Sequence, residues 1–304
     1  MVSQLVFVLA LLPFSFAEHR SPRWVHIPTN QGGTPAREGD YPWAISLQMN
    51  ARHACGASLV RICENCNQSD IILTAAHCVV HSVEYFLSKD LISPDSITVF
   101  PGLHWLSRPT QAHSVKRVQY FPDWDPHGAE GLKHDIAIIQ TTEPIKFTDS
   151  IMAIDLQESK DDPIAEGTKC KAAGWGLTSN ASGKLADQLQ EIEATIADGS
   201  ACLRDHPESR YFYDEKWLTC AASKREESTT CPGDSGSALI CTPKNDPLAI
   251  GIVSYGGNVC GDEKKSVFTT IQPHLMWIYA TVHEYSRIKD KRFLYKRLGW
   301  EDLI

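Results

Sequence analysis

Short apolar runs punctuated by turn-forming residues organise the centre of the chain. Ala44 to Leu47, Ile71 to Leu73, Ile97 to Phe100 and Ile136 to Ile139 alternate with breaks rich in Gly, Pro, Asn and Asp. Runs of that length and spacing predict the strands of an all-β sandwich or barrel. A second set extends from Cys170 to Thr270, with Ala238 to Cys241 and Ile250 to Ser254 as its clearest members. Two sets predict two antiparallel β-barrels, over about 41–145 and 165–270, joined by a Thr142 to Thr168 connector that contains Pro144, Pro163 and Gly167. Beyond Thr270 the period changes. Leu275, Ile278, Val282 and Tyr285 fall at helical spacing, so the barrels are expected to end in a C-terminal helix.

The two ends differ from this centre. Residues 1–17 are almost uncharged, apolar from Leu5 to Phe16, and close on Ser15-Phe16-Ala17, the composition of a signal peptide cut before Glu18. The run is too short to span a membrane comfortably, so secretion to the extracellular space is expected. From 18 to 29 the chain is polar and proline-containing, without either period, and reads as an irregular leader. Residues 286–304 interleave Arg287, Lys289, Lys291, Arg292, Lys296 and Arg297 with Ile288, Phe293, Leu294, Leu298 and Trp300. That pattern suits a basic helix extension with a solvated face. A membrane-surface or partner-binding helix shares the composition, and membrane contact is the less favoured reading.

The 304-residue chain is 42% hydrophobic, enough for one large or two small cores. Its formal net charge of -8 argues against nucleic acid as a general partner. Ten cysteines in a secreted chain predict oxidised pairs. Cys63 and Cys66 stand in Arg61-Ile62-Cys63-Glu64-Asn65-Cys66. A C-x-x-C can be a redox or zinc half-site, but no second C-x-x-C completes a metal set, and a local disulfide is the simpler reading. Asn67-Gln68-Ser69 and Asn180-Ala181-Ser182 are glycosylation sequons in polar stretches, which nominates Asn67 and Asn180.

Three motifs carry chemistry. Thr230-Cys231-Pro232-Gly233-Asp234-Ser235-Gly236-Ser237 holds a serine between glycines, a turn that can expose a nucleophile and aim amide N–H groups at an oxyanion. Upstream lie Thr74-Ala75-Ala76-His77-Cys78 and His134-Asp135-Ile136-Ala137-Ile138-Ile139. Singly, each has an ordinary structural reading: a serine in a glycine turn, a histidine beside a cystine, an aspartate at a strand edge. In the order His, Asp, Ser they match the chymotrypsin-like proteases. The chain therefore resembles the trypsin/chymotrypsin family of serine endopeptidases, from about Gly32 to about Tyr285.

The resemblance implies a protease domain over 30–285 with barrels of chymotrypsin type and a protein or peptide substrate. It implies the disulfides Cys55 with Cys78, Cys170 with Cys241, Cys202 with Cys220, and Cys231 with Cys260, leaving Cys63 and Cys66 for each other. Ser235 corresponds to the nucleophile, His77 to its base and Asp135 to the carboxylate that orients the base. The N–H groups of Gly233 and Ser235 correspond to the oxyanion donors, where one preorganised donor can be worth ~3 kcal/mol. Neither a metal nor an organic cofactor is implied.

Thr229 corresponds to the base of the primary specificity pocket, Gly256 and Ser266 to its walls, and Ser254-Tyr255-Gly256 to the strand that pairs with substrate. Thr229 has no charge with which to hold Arg or Lys, so an uncharged preference is expected, medium apolar or aromatic, with Ser266 narrowing the pocket. Asp262, Glu263, Lys264 and Lys265 are expected to form a solvated rim.

The departures concern activation. In the family a cut after a basic residue frees an Ile-Val-Gly-Gly terminus whose ammonium pairs with the Asp before the nucleophile. Here Asn30-Gln31 replace the apolar pair, Thr29 precedes them, and the nearest upstream basic residue is Arg23. Pro232 restricts the turn, and Ser237 replaces a customary glycine. In the family's inactive precursors the same Asp pairs with a His supported by a Ser, places held here by His53 and Ser46. These changes keep three readings open: an active endopeptidase, a non-catalytic protease-shaped binding protein, and a zymogen-like enzyme completed by an activating partner. A protein inhibitor is a further expected class of partner.

Overall fold

A computed structural model describes residues 33–285, apart from 64, 84–85, 128–131, 159–163, 179–182, 224–228, 244–245, 257–259 and 261–264. The signal sequence, the leader, Asn30-Gln31, the Asn180 sequon, Asp262 to Lys264 and the 286–304 extension lie outside the described residues.

Twelve strands build two barrels. The first contains β1 (Ala44–Met49), β2 (Arg52–Leu59), β3 (Gln68–Thr74), β4 (Ile97–Pro101), β5 (His113–Tyr120) and β6 (Ala137–Lys146). They close in the order β1-β2-β3-β6-β5-β4, with β4 pairing back onto β1. The second contains β7 (Lys169–Gly174), β8 (Gln190–Ala197), β9 (Leu218–Ser223), β10 (Ala238–Cys241), β11 (Leu248–Tyr255) and β12 (Ser266–Thr270). Its circuit runs β7-β8-β9-β12-β11-β10, closed by the β8 to β9 and β7 to β10 pairings. Both barrels are antiparallel and share one strand order. The chain is therefore an all-β, chymotrypsin-type fold completed by a helix.

Alternation along the strands explains their apolar character. On β10, Leu239 and Cys241 face the interior of the second barrel, while Ala238 and Ile240 join the larger core that spans the seam between barrels. On β11, Ile250 and Val253 point into the barrel, and Ala249 and Ile252 into the seam. Strands buried on both faces read as continuous hydrophobic runs. The closing helix α1 (Leu275–Tyr285) adds Ile278, Tyr279 and Val282 to the seam core, as its helical spacing predicts. Five disulfides form: Cys55 to Cys78, Cys63 to Cys66, Cys170 to Cys241, Cys202 to Cys220, and Cys231 to Cys260.

Candidate active site

The site lies where the two barrels meet. His77 sits on a 3-10 turn, Ala76–Val79, that follows β3. Asp135 precedes β6, and Ser235 lies in the turn before β10. The first barrel thus supplies the histidine and the acid, and the second supplies the serine.

Asp135 is fully buried. Its Oδ1 accepts the main-chain N–H of His77 at 2.9 Å, and its Oδ2 lies 2.7 Å from His77 Nδ1. Ser254 Oγ, from β11, donates to the same Oδ2 at 2.6 Å. An ionised carboxylate can only accept, so Nδ1 of His77 carries the hydrogen and Nε2 keeps its lone pair. Burial by itself would depress the His77 pKa, but the charge of Asp135 and its hydrogen bond outweigh it and raise the pKa above the ordinary imidazole value.

Backbone contacts hold the serine turn against the strand that leads to His77. Gly56 N–H donates to Ser235 O at 2.8 Å, and Thr74 Oγ1 donates to Gly56 O at 2.9 Å. Gly236 has φ +84, and a methyl group there would lie 2.2 Å from Thr74 Oγ1 and 2.3 Å from Gly56 O. Only glycine fits. Ser235 is half-buried, and its Oγ makes no hydrogen bond to His77 among the described residues. Catalytic contacts of this kind commonly tighten only once substrate is bound.

The Asp234 pairing expected from sequence takes a different form. His53 and Ser46 do meet, with Ser46 Oγ 2.9 Å from His53 Nδ1, but Asp234 is not their third member. His53 Nε2 donates instead to Gly233 O at 2.9 Å, and its ring packs edge-on to Trp175. Asp234 accepts N–H groups from Gly176 and Cys231, each at 2.8 Å. Glycine makes this possible: methyl groups at Gly174 or Gly176 would lie 2.2 Å or 2.5 Å from the carboxyl group. Burial raises the Asp234 pKa to about 6, against the lowering effect of the two N–H donors. Burial likewise lowers the His53 pKa, opposed by its bond to Gly233.

Of the residues expected to line the pocket, Ser266 and Gly256 both lie beside Thr230. Thr229 and Ser266 are buried, and Thr230 Oγ1 lies 2.7 Å from Ser266 Oγ. A methyl group at Gly256 would lie 3.2 Å from Thr230 Oγ1 and 3.6 Å from both Ser266 Oγ and Thr230 O. Ser254, expected on the substrate strand, has a role that its sequence context did not reveal, as a donor to Asp135. Of the remaining candidates, Asn67 is exposed whereas Ser69 is buried and donates to Val60 O. Lys265 pairs with Asp205 at 3.0 Å. Cys55, His77 and Cys78 cluster closely, but both sulfurs belong to one cystine and neither can ligate a metal as a thiolate.

A carboxylate that fixes the tautomer of an imidazole, set against a glycine-bound serine across the seam of two like-ordered barrels, is the arrangement of a chymotrypsin-like serine endopeptidase. The trypsin family model matches residues 30–278, and the chain belongs to that family. It is 29% identical over 262 residues to horse (Equus caballus) kallikrein-1E2, covering 84% of this chain and 90% of that one. Among solved structures it is similar to neuropsin, a serine protease expressed in the limbic system of mouse brain. That match has a TM-score of 0.67 and 27% identity, and covers 82% of this chain and 98% of the other.

Proposed function

We propose that the protein is a secreted endopeptidase that cuts peptide bonds through an acyl-enzyme on Ser235. The Asp135 to His77 geometry carries this reading, because it fixes the hydrogen on Nδ1 and leaves Nε2 of His77 with its lone pair free to act as a base. Nε2 takes the Ser235 proton as Oγ bonds to the scissile carbonyl carbon, and the carbonyl π pair moves onto oxygen. The N–H groups of Gly233 and Ser235 receive that oxyanion. Collapse breaks the C–N bond, the leaving amine takes the proton from His77, and an ester remains on Ser235. Water then repeats the sequence, activated by the same imidazole. Asp135 is never protonated in this cycle; its charge steadies the imidazolium.

Secretion is supported by the composition of residues 1–17 and by five disulfides, which persist in oxidising compartments. An uncharged substrate residue before the cut is supported by Thr229 at the pocket base. With Ser266 on its wall, the pocket is proposed to take a medium apolar or aromatic residue.

The oxyanion turn is supported by a set of neutral bonds. His53 holds Gly233 O, Leu177 N–H holds Pro232 O at 2.9 Å, and the ring of Pro232 limits the alternatives open to the turn. These favour a turn organised without an Ile-Val terminus. One observation favours the conditional reading: among the described residues Asp234 has no cationic partner. A buried charge so placed can hold a turn in reserve until a partner or substrate supplies ordering energy.

Intact-mass spectrometry of the secreted chain before and after a fluorophosphonate probe, with its N-terminal residue determined, tests both. Stoichiometric labelling of Ser235 in a chain beginning at Glu18 supports the active reading. Labelling only with an added partner or substrate supports the conditional one. No labelling of that chain, or of forms trimmed to Trp24 or Asn30, would sink the proposal and leave a protease-shaped binding protein.

A further inference from the structure

Directly before the acid lies a buried pair of histidines that the proposed cycle does not use. His134 Nδ1 is 3.0 Å from His274 Nε2, and His274 Nδ1 is 2.7 Å from the Thr270 carbonyl oxygen. His274 is completely buried and His134 nearly so. Phe121 stacks on His134 at 4.8 Å, and Trp217 meets the same ring edge-on at 4.5 Å.

The hydrogens in this chain of contacts are fixed by elementary chemistry. A carbonyl oxygen only accepts, so Nδ1 of His274 carries a hydrogen. Burial, opposed by the bond to Thr270 and reinforced by the neighbouring histidine, lowers the His274 pKa to about 4, and the ring is neutral at ordinary pH. Its Nε2 is then an acceptor, so Nδ1 of His134 must donate. The result is a one-way wire from His134 through His274 to Thr270.

The wire crosses the seam. Thr270 ends β12 of the second barrel, and His274 closes the 3-10 turn Gln272–His274 that leads into α1. His134 belongs to the first-barrel loop that carries Asp135. Around it the backbone is tied by Ile136 N–H to His134 O at 2.7 Å and Phe121 N–H to Ile136 O at 3.0 Å. Asp135 is thus referenced to the second barrel twice: its carboxylate by Ser254, and its backbone by the ring one residue earlier.

We propose that His134 and His274 are positioning residues for the reaction, which clamp the Asp135 loop onto the barrel that carries Ser235. The inference rests on the reading of Asp135 as the group that orients His77. Losing the clamp lets the acid drift from His77 while the peptide-binding surface stays intact. Misplacement by about 1 Å can cost about 100-fold in rate.

The test compares His134→Phe, which fills the aromatic box without an N–H, with His134→Asn, whose amide N–H can stand where Nδ1 stands. kcat and KM on a peptide amide, per active site titrated with fluorophosphonate, and the pH dependence of kcat/KM are the readouts. For His134→Phe we expect kcat to fall about 10- to 100-fold with KM little changed. Its acid limb should move to lower pH, because Asp135 supports the imidazolium of His77 less well. His134→Asn should recover most of kcat, and His134→Phe combined with His274→Phe should lose no more than the single change. An unchanged kcat and acid limb in His134→Phe, equal losses in His134→Phe and His134→Asn, or additive losses in the double variant would overturn the inference. If His134→Phe is not secreted, His274→Gln, which keeps an acceptor, and His274→Leu, which does not, make the same comparison. Absence of wild-type labelling and turnover would defeat the underlying functional reading instead, so the two failures are distinguishable.

Discussion

At the scale of single residues, burial with no counter-charge among the described residues makes Asp234 the most informative side chain. Its folded pKa of about 6 lies above its ordinary value of 3.8. Between those values the folded protein holds a proton that the unfolded chain has released, so this residue stabilises the fold as pH falls from 7 toward 4. Asp234→Asn cannot titrate. Denaturant unfolding of both proteins across pH 4 to 7 should show the wild type gaining stability relative to the variant on acidification, and parallel curves would contradict it. The primary pocket makes a second prediction at this scale. With uncharged Thr229 at its expected base and Ser266 on its wall, the pocket is proposed to take a medium apolar or aromatic residue, so a peptide library should be cut after uncharged residues. Strong selection for Arg or Lys would reject the proposed pocket.

At the scale of elements, glycines decide which turns can form, and two of them separate strain from crowding. Gly39 has φ +89 with nothing near its missing side chain, whereas Gly236 has φ +84 and is pressed against the Gly56 carbonyl and Thr74. Gly39→Ala should cost about 1–3 kcal/mol of conformational strain. Gly236→Ala adds a clash with backbone and should cost clearly more, measured as the shift in denaturation midpoint at constant slope. Equal costs would mean that the serine turn can move aside. The elements themselves were largely legible in the sequence. Apolar runs marked the core of each barrel, and the spacing of Leu275, Ile278, Val282 and Tyr285 marked the closing helix. The helix Gly199–Asp205 and the hairpin of Val80–Val83 with Phe86–Leu91 were not legible, because elements this short owe their form to tertiary neighbours more than to any period of their own.

At the scale of the whole molecule, the site is a product of the seam, and this limits what a linear pattern can disclose. His77, Asp135 and Ser235 each sit in their own local motif, which is why the sequence nominates them, and the bond of His77 to Asp135 joins two of the three. Ser254 as a donor to Asp135 was not legible, nor was the contact of His134 with His274, 140 positions along the chain. Asp234 was expected beside His53. Two backbone N–H groups captured it instead, since amides are available wherever the chain turns and carry no signature in residue type.

The repeated strand order of the two barrels has a consequence for how such a protein can diverge. Each half closes on its own circuit, so its outward faces can accept substitutions without reference to the other half. Residues along the seam answer to both halves at once. Across orthologous sequences, tolerance should therefore be distributed as two drifting shells around a slow-changing plane. Covariation between halves should concentrate on pairs such as 134 with 274, where a change on one side demands a matching change on the other.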